Sequence, residues 1–253
     1  MNWAGVLLSA VQDRYPSLRR QINSAWRSFA AWRRLEPAQR AKPISICVLQ
    51  LLLHTLFLQA TAENVVKVYV IAAHMLFIYC GLLRPAEARS LRWCDITLDV
   101  TRDGFPFVSI AVQGTTSARK HIVEYISIDG AFLYFILKSL QPLFSADDLW
   151  TFSPDFFGRF FLSLQQLANL RGYTPYSLKR GGATAHFARQ RNDDLLCQLG
   201  CWSTLTAARL YVGDTMASLV RLRTPAIPRT VRRSFRESFV GLGGVGSSSV
   251  LEL

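Results

Sequence analysis

Thr174-Pro-Tyr-Ser-Leu-Lys-Arg-Gly-Gly-Ala-Thr184 places a lysine–arginine pair and two glycines at a helix start, and Gly200-Cys-Trp-Ser-Thr204 and Tyr211 follow it. Basic side chains with a tyrosine a few turns downstream suit a tyrosine nucleophile attacking a phosphodiester. Such chemistry needs a phenol that loses its proton, cations that neutralise the phosphoryl oxygens, and an acid that protonates the departing 5′ oxygen. Cationic side chains can supply that field without a metal. A lone tyrosine at a helix end is otherwise a packing residue, and a Lys-Arg pair before Gly-Gly is otherwise an exposed helix start.

Upstream, Gly81-Leu-Leu-Arg-Pro-Ala-Glu-Ala-Arg-Ser-Leu-Arg-Trp93 offers a further arginine on a short helix opened by Pro85. A helix start is an electrostatically poor place for a cation. Arg84 therefore stands out, with Glu87 positioned to orient its guanidinium and Gly81 to permit a tight approach.

Composition agrees with an anionic partner. The chain has 253 residues and a net charge of +12, from 29 Lys+Arg against 17 Asp+Glu. Nucleic acid comes first on that balance and an acidic membrane surface second. With 50% hydrophobic and 18% charged residues, the chain can bury a sizeable core and is not a disordered polymer. Five cysteines without a CxxC pair read as reduced thiols of an intracellular protein. The first residues are too quickly polar for a secretory signal. Pro43–Ala62 and Val68–Leu83 approach membrane-spanning length, but Ser45, Gln50, His54, Thr55, Gln59 and His74 make two buried core helices the more economical reading.

Along the chain, residues 2–36 read as helical, with Trp3, Val6, Leu7, Val11, Tyr15, Ile22, Trp26, Phe29 and Trp32 on apolar faces. A polar, proline-bracketed linker runs to Pro43. Helices are predicted over 44–60, 63–82, 87–91, 130–141, 155–170, 181–190, 193–199 and 204–212. Three strands are predicted over Trp93–Leu98, Phe105–Gln113 and Ile122–Ile128. Asp103-Gly104 makes the first strand turn and Gly114–Lys120 the second. Residues 222–253, rich in Arg, Pro, Ser and Gly, read as a loosely held basic tail.

In this order the motifs resemble the catalytic domain of the tyrosine recombinases (phage-integrase type), most closely the forms of eukaryotic mobile elements. The resemblance covers most of residues 43–215. It implies a mostly α fold with a small antiparallel three-stranded β-sheet. It also implies four segments: a helical remnant of an N-terminal DNA-clamping domain over 1–36, a linker over 37–43, the catalytic domain over 44–221, and the tail.

For the site, the resemblance makes Tyr211 the nucleophile and Arg84 the first phosphate clamp, a guanidinium able to grip two oxygens at once. The second clamp falls on Lys179, with Arg180 in the neighbouring basic position; lysine keeps the charge and loses the fork. Tyr176 and Cys201 occupy two positions where histidine is common, and a thiol is a poor phosphate ligand. Lys120 is the basic candidate for the hairpin acid, although the family position falls nearer Thr116. Arg92, Arg119, Arg221 and Arg223 are candidate DNA contacts.

The implied activity is site-specific DNA recombination, with strand cleavage and rejoining through a 3′-phosphotyrosyl intermediate and no cofactor or metal. The changes at 179, 201 and the hairpin leave catalysis reduced or lost. DNA is the implied partner, a synaptic tetramer the implied assembly, and the nucleus the location if the source is eukaryotic. Three rivals remain: a catalytically inactive DNA-binding relic, a type IB topoisomerase-like enzyme, and a small basic membrane protein built on 43–62 and 68–83.

Overall fold

The structure, a computed structural model, describes residues 3–28, 41–113, 123–143, 149–150, 152–190, 192–202, 204–205, 208 and 211–212. The chain divides into two units, Met1–Arg40 and Ala41–Leu253. In the first, α1 (Trp3–Arg14) ends before Tyr15-Pro16, and a 3-10 segment, Pro16–Arg20, and helical residues 23–28 follow. The expected continuous helix is broken at Pro16, which lacks the N–H that an unbroken helix would use.

In the second unit Ser45 opens α2 (Ile46–Leu58) by accepting from the Val48 N–H at 3.3 Å, an N-cap. Then come α3 (Val65–Cys80), the short α4 (Pro85–Ser90), and strands β1 (Ile96–Val100), β2 (Pro106–Gln113) and β3 (Val123–Asp129). Four helices complete the described part: α5 (Ala131–Leu140), α6 (Pro154–Leu167), α7 (Pro175–Gln190) and α8 (Asp193–Leu199). Residues 205 and 208 are helical, within the helix expected over 204–212.

Val68 and every residue from Val70 to Tyr79 are buried. A helix apolar all round is a buried helix, and α3 has α2, α4, α5 and α7 packed about it. This accounts for the apolar runs without a bilayer. The helices α2 and α3 have 13 and 16 residues, and no helix of the described residues is long and apolar enough to cross a membrane. His74, a polar oddity in the apolar run, packs edge-on against Trp150, Phe152 and Phe157 at 4.4–5.3 Å. Burial, with Arg89 adding to it, pulls its pKa down to about 3, so it sits in the core as a neutral ring.

The sheet is an antiparallel meander in the order β1-β2-β3, with Ile96 opposite Ile110 and Val108 opposite Ile128. Val108, Ile110, Val112, Ile126 and Ile128 are buried, so one face packs on the core and α5 lies against β2 and β1. Gly104, at φ +81, makes the β1–β2 turn as its Asp-Gly pair implies. The strand expected from Trp93 begins later. Asp95 accepts from the Arg92 N–H at 2.9 Å and winds 93–95 into a 3-10 turn. The expected second turn, 114–120, lies outside the described residues.

The largest departure concerns α7, which begins at Pro175 rather than at 181. Thr174 N–H donates to Ser177 Oγ at 2.9 Å, half of a capping box, and Pro175 suits the first turn. Gln165 grips both the N–H and the C=O of Tyr173 at 3.0 Å, fixing the chain as it enters the helix. The two glycines are thus inside the helix and buried. A Cβ on Gly181 would lie 2.0 Å from the Ile44 carbonyl oxygen, and one on Gly182 only 1.8 Å from that of Tyr79. Their low helix propensity, about 1 kcal/mol each against alanine, is offset by a backbone-to-backbone approach that no other residue permits. Gly81 serves packing in the same way: a Cβ there would meet Phe77 O and Ile128 Cδ1 at 2.8 and 2.9 Å.

Gly182→Ala should therefore destabilise the protein by more than about 3 kcal/mol in urea titration, the scale of a severe core clash. Gly158→Ala, in α6 with nothing within 4 Å of the new Cβ, should stabilise it by about 0.5–1 kcal/mol. Equal effects at the two positions would refute the close-approach account.

Candidate active site

Three segments far apart in sequence meet at one place. The first is the turn after α3. Leu82 is buried with φ +50, a conformation costly for a branched side chain, and two residues later Arg84 stands at the N-cap of α4. Glu87, one turn on, accepts from the Arg84 N–H at 2.7 Å and pairs with its guanidinium Nη1. The Arg84 side chain is 35% exposed and that of Glu87 10%. Burial opposes the charge on Arg84, but Glu87, with Tyr211 and Tyr176 nearby, raises its pKa on balance. Burial likewise opposes ionisation of Glu87, and the Arg84 N–H, Lys179 and the Arg84 charge together hold its carboxyl below the usual range.

The second segment is α7. Lys179 is only 1% exposed, with Nζ 5.0 Å from the centre of the Trp202 ring and 5.4 Å from that of Tyr211. Burial, with help from Arg84, pulls its pKa down to about 8, against the opposing pull of Glu87, Cys201 and Glu124. Arg180 is one residue along, about 100° around the helix, and its Nη1 donates to the Ala41 carbonyl at 2.6 Å. Lys179, rather than Arg180, is the basic residue brought to Tyr211. Tyr176, at the start of α7, is 47% exposed and close enough to act on Arg84.

The third segment follows α8. Trp202 N–H donates to Cys197 O at 2.9 Å and Cys201 N–H to Gln198 O at 3.2 Å, the two bonds of a Schellman motif. Cys201 takes the left-handed position at φ +51. A Cβ at Gly200 would meet the Trp202 ring within 2.3–2.6 Å, so the glycine makes room for the indole to fold back. Trp202 and Tyr211 stack at 4.8 Å with 29° between their planes. Both belong with a small core of Leu82, Ala183, Leu196, Ala208 and Val212, which joins the Arg84 turn, α7 and the Tyr211 segment.

Glu124 on β3 is a member that the motifs did not single out. Its carboxylate accepts from the Cys201 thiol and acts on Lys179. Burial, then the bond to Glu124 and its charge, push the Cys201 thiol up to about 12, so it is held as a neutral donor. The signal was present in the sequence: Glu124 alternates with Ile126 and Ile128, which face the core. Arg92 lies on the surface beside Asp95, Nε to Oδ2 3.6 Å, outside this cluster. Lys120, Arg119, Thr116, Arg221 and Arg223 lie outside the described residues.

The arrangement sets two cations from different helices beside a tyrosine, with two carboxylates behind them. Solved structures with a similar fold include XerH site-specific recombinase bound to palindromic difH substrate in a post-cleavage complex: TM-score 0.56, 14% identity, covering 68% of this chain and 50% of that one. XerA recombinase gives 0.53 and 17%, covering 77% and 69%. A lambda integrase dimer bound to a COC′ core site gives 0.54 and 13%, covering 84% and 64%. The fold is that of the tyrosine recombinase catalytic domain. The chain spans about half the length of the XerH chain it matches. No protein-family model and no curated protein matches it by sequence.

The buried lysine gives a test of this geometry that needs no substrate. Its pKa in the folded protein, about 8, is below its ordinary value of 10.5. The unfolded chain therefore holds the proton more tightly between those values, and the lysine's cost to stability fades as pH rises through that window. Lys179→Met should be more stable relative to the parent at pH 7 than at pH 10, the gap shrinking by roughly 2 kcal/mol in paired urea titrations. A pH-independent gap would mean that Lys179 is not buried as a charge.

Proposed function

We propose that this chain is a DNA-binding, tyrosine-recombinase-like protein that cleaves and rejoins DNA through a 3′-phosphotyrosyl intermediate. The observation that carries this reading is the convergence of Arg84 and Lys179 on Tyr211. Lys179 lies 5.4 Å from the Tyr211 ring, and the guanidinium feels the same phenol. In this reading Tyr211 Oη attacks the phosphorus while Arg84 and Lys179 neutralise the phosphoryl oxygens. Tyr176, exposed beside Arg84, donates a hydrogen bond to the phosphate. Trp202 backs the tyrosine ring and limits its swing. The net charge of +12 and the DNA-bound state of the XerH and lambda integrase structures support DNA as partner. Self-assembly on DNA, a mobile-element origin, and a helical DNA-clamping remnant before the linker belong to the same proposal.

One observation favours a catalytically inactive DNA-binding relic instead. The polar position after α8 is a thiol already engaged by Glu124, so it brings a carboxylate rather than a cation toward the phosphate.

Covalent trapping separates the two. Incubation with nicked, randomised duplexes should give SDS-stable protein–DNA adducts that vanish in Tyr211→Phe, and Arg84→Ala should lower their yield by roughly 10²-fold or more. Salt-sensitive DNA binding without any adduct would establish the relic. Binding measured by fluorescence anisotropy should weaken steeply between 50 and 200 mM salt, about one power of salt per neutralised phosphate. A salt-independent affinity would remove DNA as the partner.

A further inference from the structure

Arg180, the basic neighbour of Lys179, reaches back to the chain that leads into the second unit. Its Nη1 donates to the Ala41 carbonyl at 2.6 Å, across 139 residues of sequence. Three further contacts lay residues 41–44 along α7 as a strap. Ile44 N–H donates to Ser177 O at 3.1 Å. The Ile44 backbone fills the space that a Cβ on Gly181 would take, and Lys42 Nζ lies 5.1 Å from the centre of the Tyr173 ring. Pro43 and Ile44 are buried and Ser45 beside them caps α2, so the downstream end of the strap is fixed in the core. Arg180 secures its upstream end.

Ser177, Arg180 and Gly181 are spaced i, i+3 and i+4 and share one face of α7. Lys179 is two residues from both Ser177 and Gly181, about 200° around the helix, so the strap backs the side opposite the lysine. On the lysine's own side stand the stacked rings of Trp202 and Tyr211. The helix α7 is thus held between the strap and that stack, while Gly182 rests on the end of α3.

We propose that Arg180 is a positioning residue for the site. By tying the strap to α7 it fixes the phase of the helix, and with it the placement of Lys179 and Tyr176 beside Arg84 and Tyr211. The proposal rests on the strand-cleavage reading given above, and it takes Arg180 out of contact with the phosphate. A small turn of a helix about its axis displaces a side chain as long as lysine most at its tip. A misplacement of about 1 Å near the reacting atoms can cost on the order of 10²-fold in rate. A guanidinium suits the task because it presents several donors on a planar fork at the end of a long stem.

The experiment uses the full chain and the randomised nicked duplexes. Arg180→Met keeps the stem and removes the donors, whereas Arg180→Lys keeps a charged donor. At saturating duplex, Arg180→Met should form the SDS-stable adduct roughly tenfold or more slowly than the parent, and Arg180→Lys within a few-fold of it. Affinity for the duplex and its salt dependence, read by fluorescence anisotropy, should be the same in all three. An ester in place of the amide between Ala41 and Lys42 weakens the acceptor and leaves Arg180 untouched. It should slow the adduct several-fold in the parent and add nothing in Arg180→Met, as two changes to one bond do. A salt slope reduced by about one power in Arg180→Met would make Arg180 a phosphate contact and overturn the proposal. So would a parental rate in folded Arg180→Met. If that variant does not fold, the ester protein decides, and a parental rate there overturns the proposal. All these outcomes leave the strand-cleavage reading standing; a parent that forms no adduct overturns that reading, and this one with it.

Discussion

The carbonyl oxygen of Tyr79 lies where a Cβ of residue 182 would be, and the site's geometry follows from that contact. Because α7 rests backbone to backbone on the end of α3, the turn that leaves α3 at Gly81 emerges directly beside α7. Lys179 and Ala183 lie three residues before and one after Gly182, so positions 179, 182 and 183 share a helix face. That face looks at Leu82, Trp202 and the Tyr211 segment. Leu82, two residues before Arg84, takes the left-handed region that a bulky side chain enters only with strain. The glycine pair therefore fixes the distance between the two cations, although neither glycine has a side chain to contribute to chemistry.

The second constraint is electrical. A lysine buried among aromatic rings is costly, and a core position would ordinarily be apolar. Two carboxylates, Glu87 and Glu124, reach it from separate elements and hold the charge in place. Arg84 and Lys179 against Glu87 and Glu124 make a site near formal neutrality. In the proposed strand-cleavage reading, a phosphate entering it gains less from net charge than it would from a purely cationic cradle. What it meets is a set of oriented groups whose positions were fixed during folding, the condition under which local electrostatics act most strongly on a reaction.

Much of this was legible in the sequence because it rests on local chemistry. The three strands follow from period-two alternation and the Asp103-Gly104 turn, and the motifs singled out Arg84, Lys179 and Tyr211, which the fold brings together. The extent of α7 was not legible, because mid-helix glycines look like a helix start until the carbonyls of Ile44 and Tyr79 are seen against them. Nor was the distinction between Lys179 and Arg180. Both are basic neighbours in sequence, and only the helix phase, set by packing at Gly182, turns one inward and the other to Ala41. Glu124 was visible as an inward-facing strand residue, but its partner Cys201 is remote in sequence and joined to it only by the fold.

Position 201 shows how frame and chemistry are separable here. Its backbone is the left-handed residue of a Schellman turn, a place where glycine is usual and any other residue is strained by about 1–2 kcal/mol. Gly200, one residue earlier, is committed to the Trp202 ring, so the strain falls on Cys201. A side chain projected from this turn arrives beside β3 and Lys179 whatever its chemistry, because the two backbone bonds of the turn set its direction. The cysteine uses that placement to donate a hydrogen bond to Glu124. The same turn would carry a ring nitrogen into the site equally well. A change at this position alters what the site can donate without altering the scaffold that holds Tyr211 against Trp202.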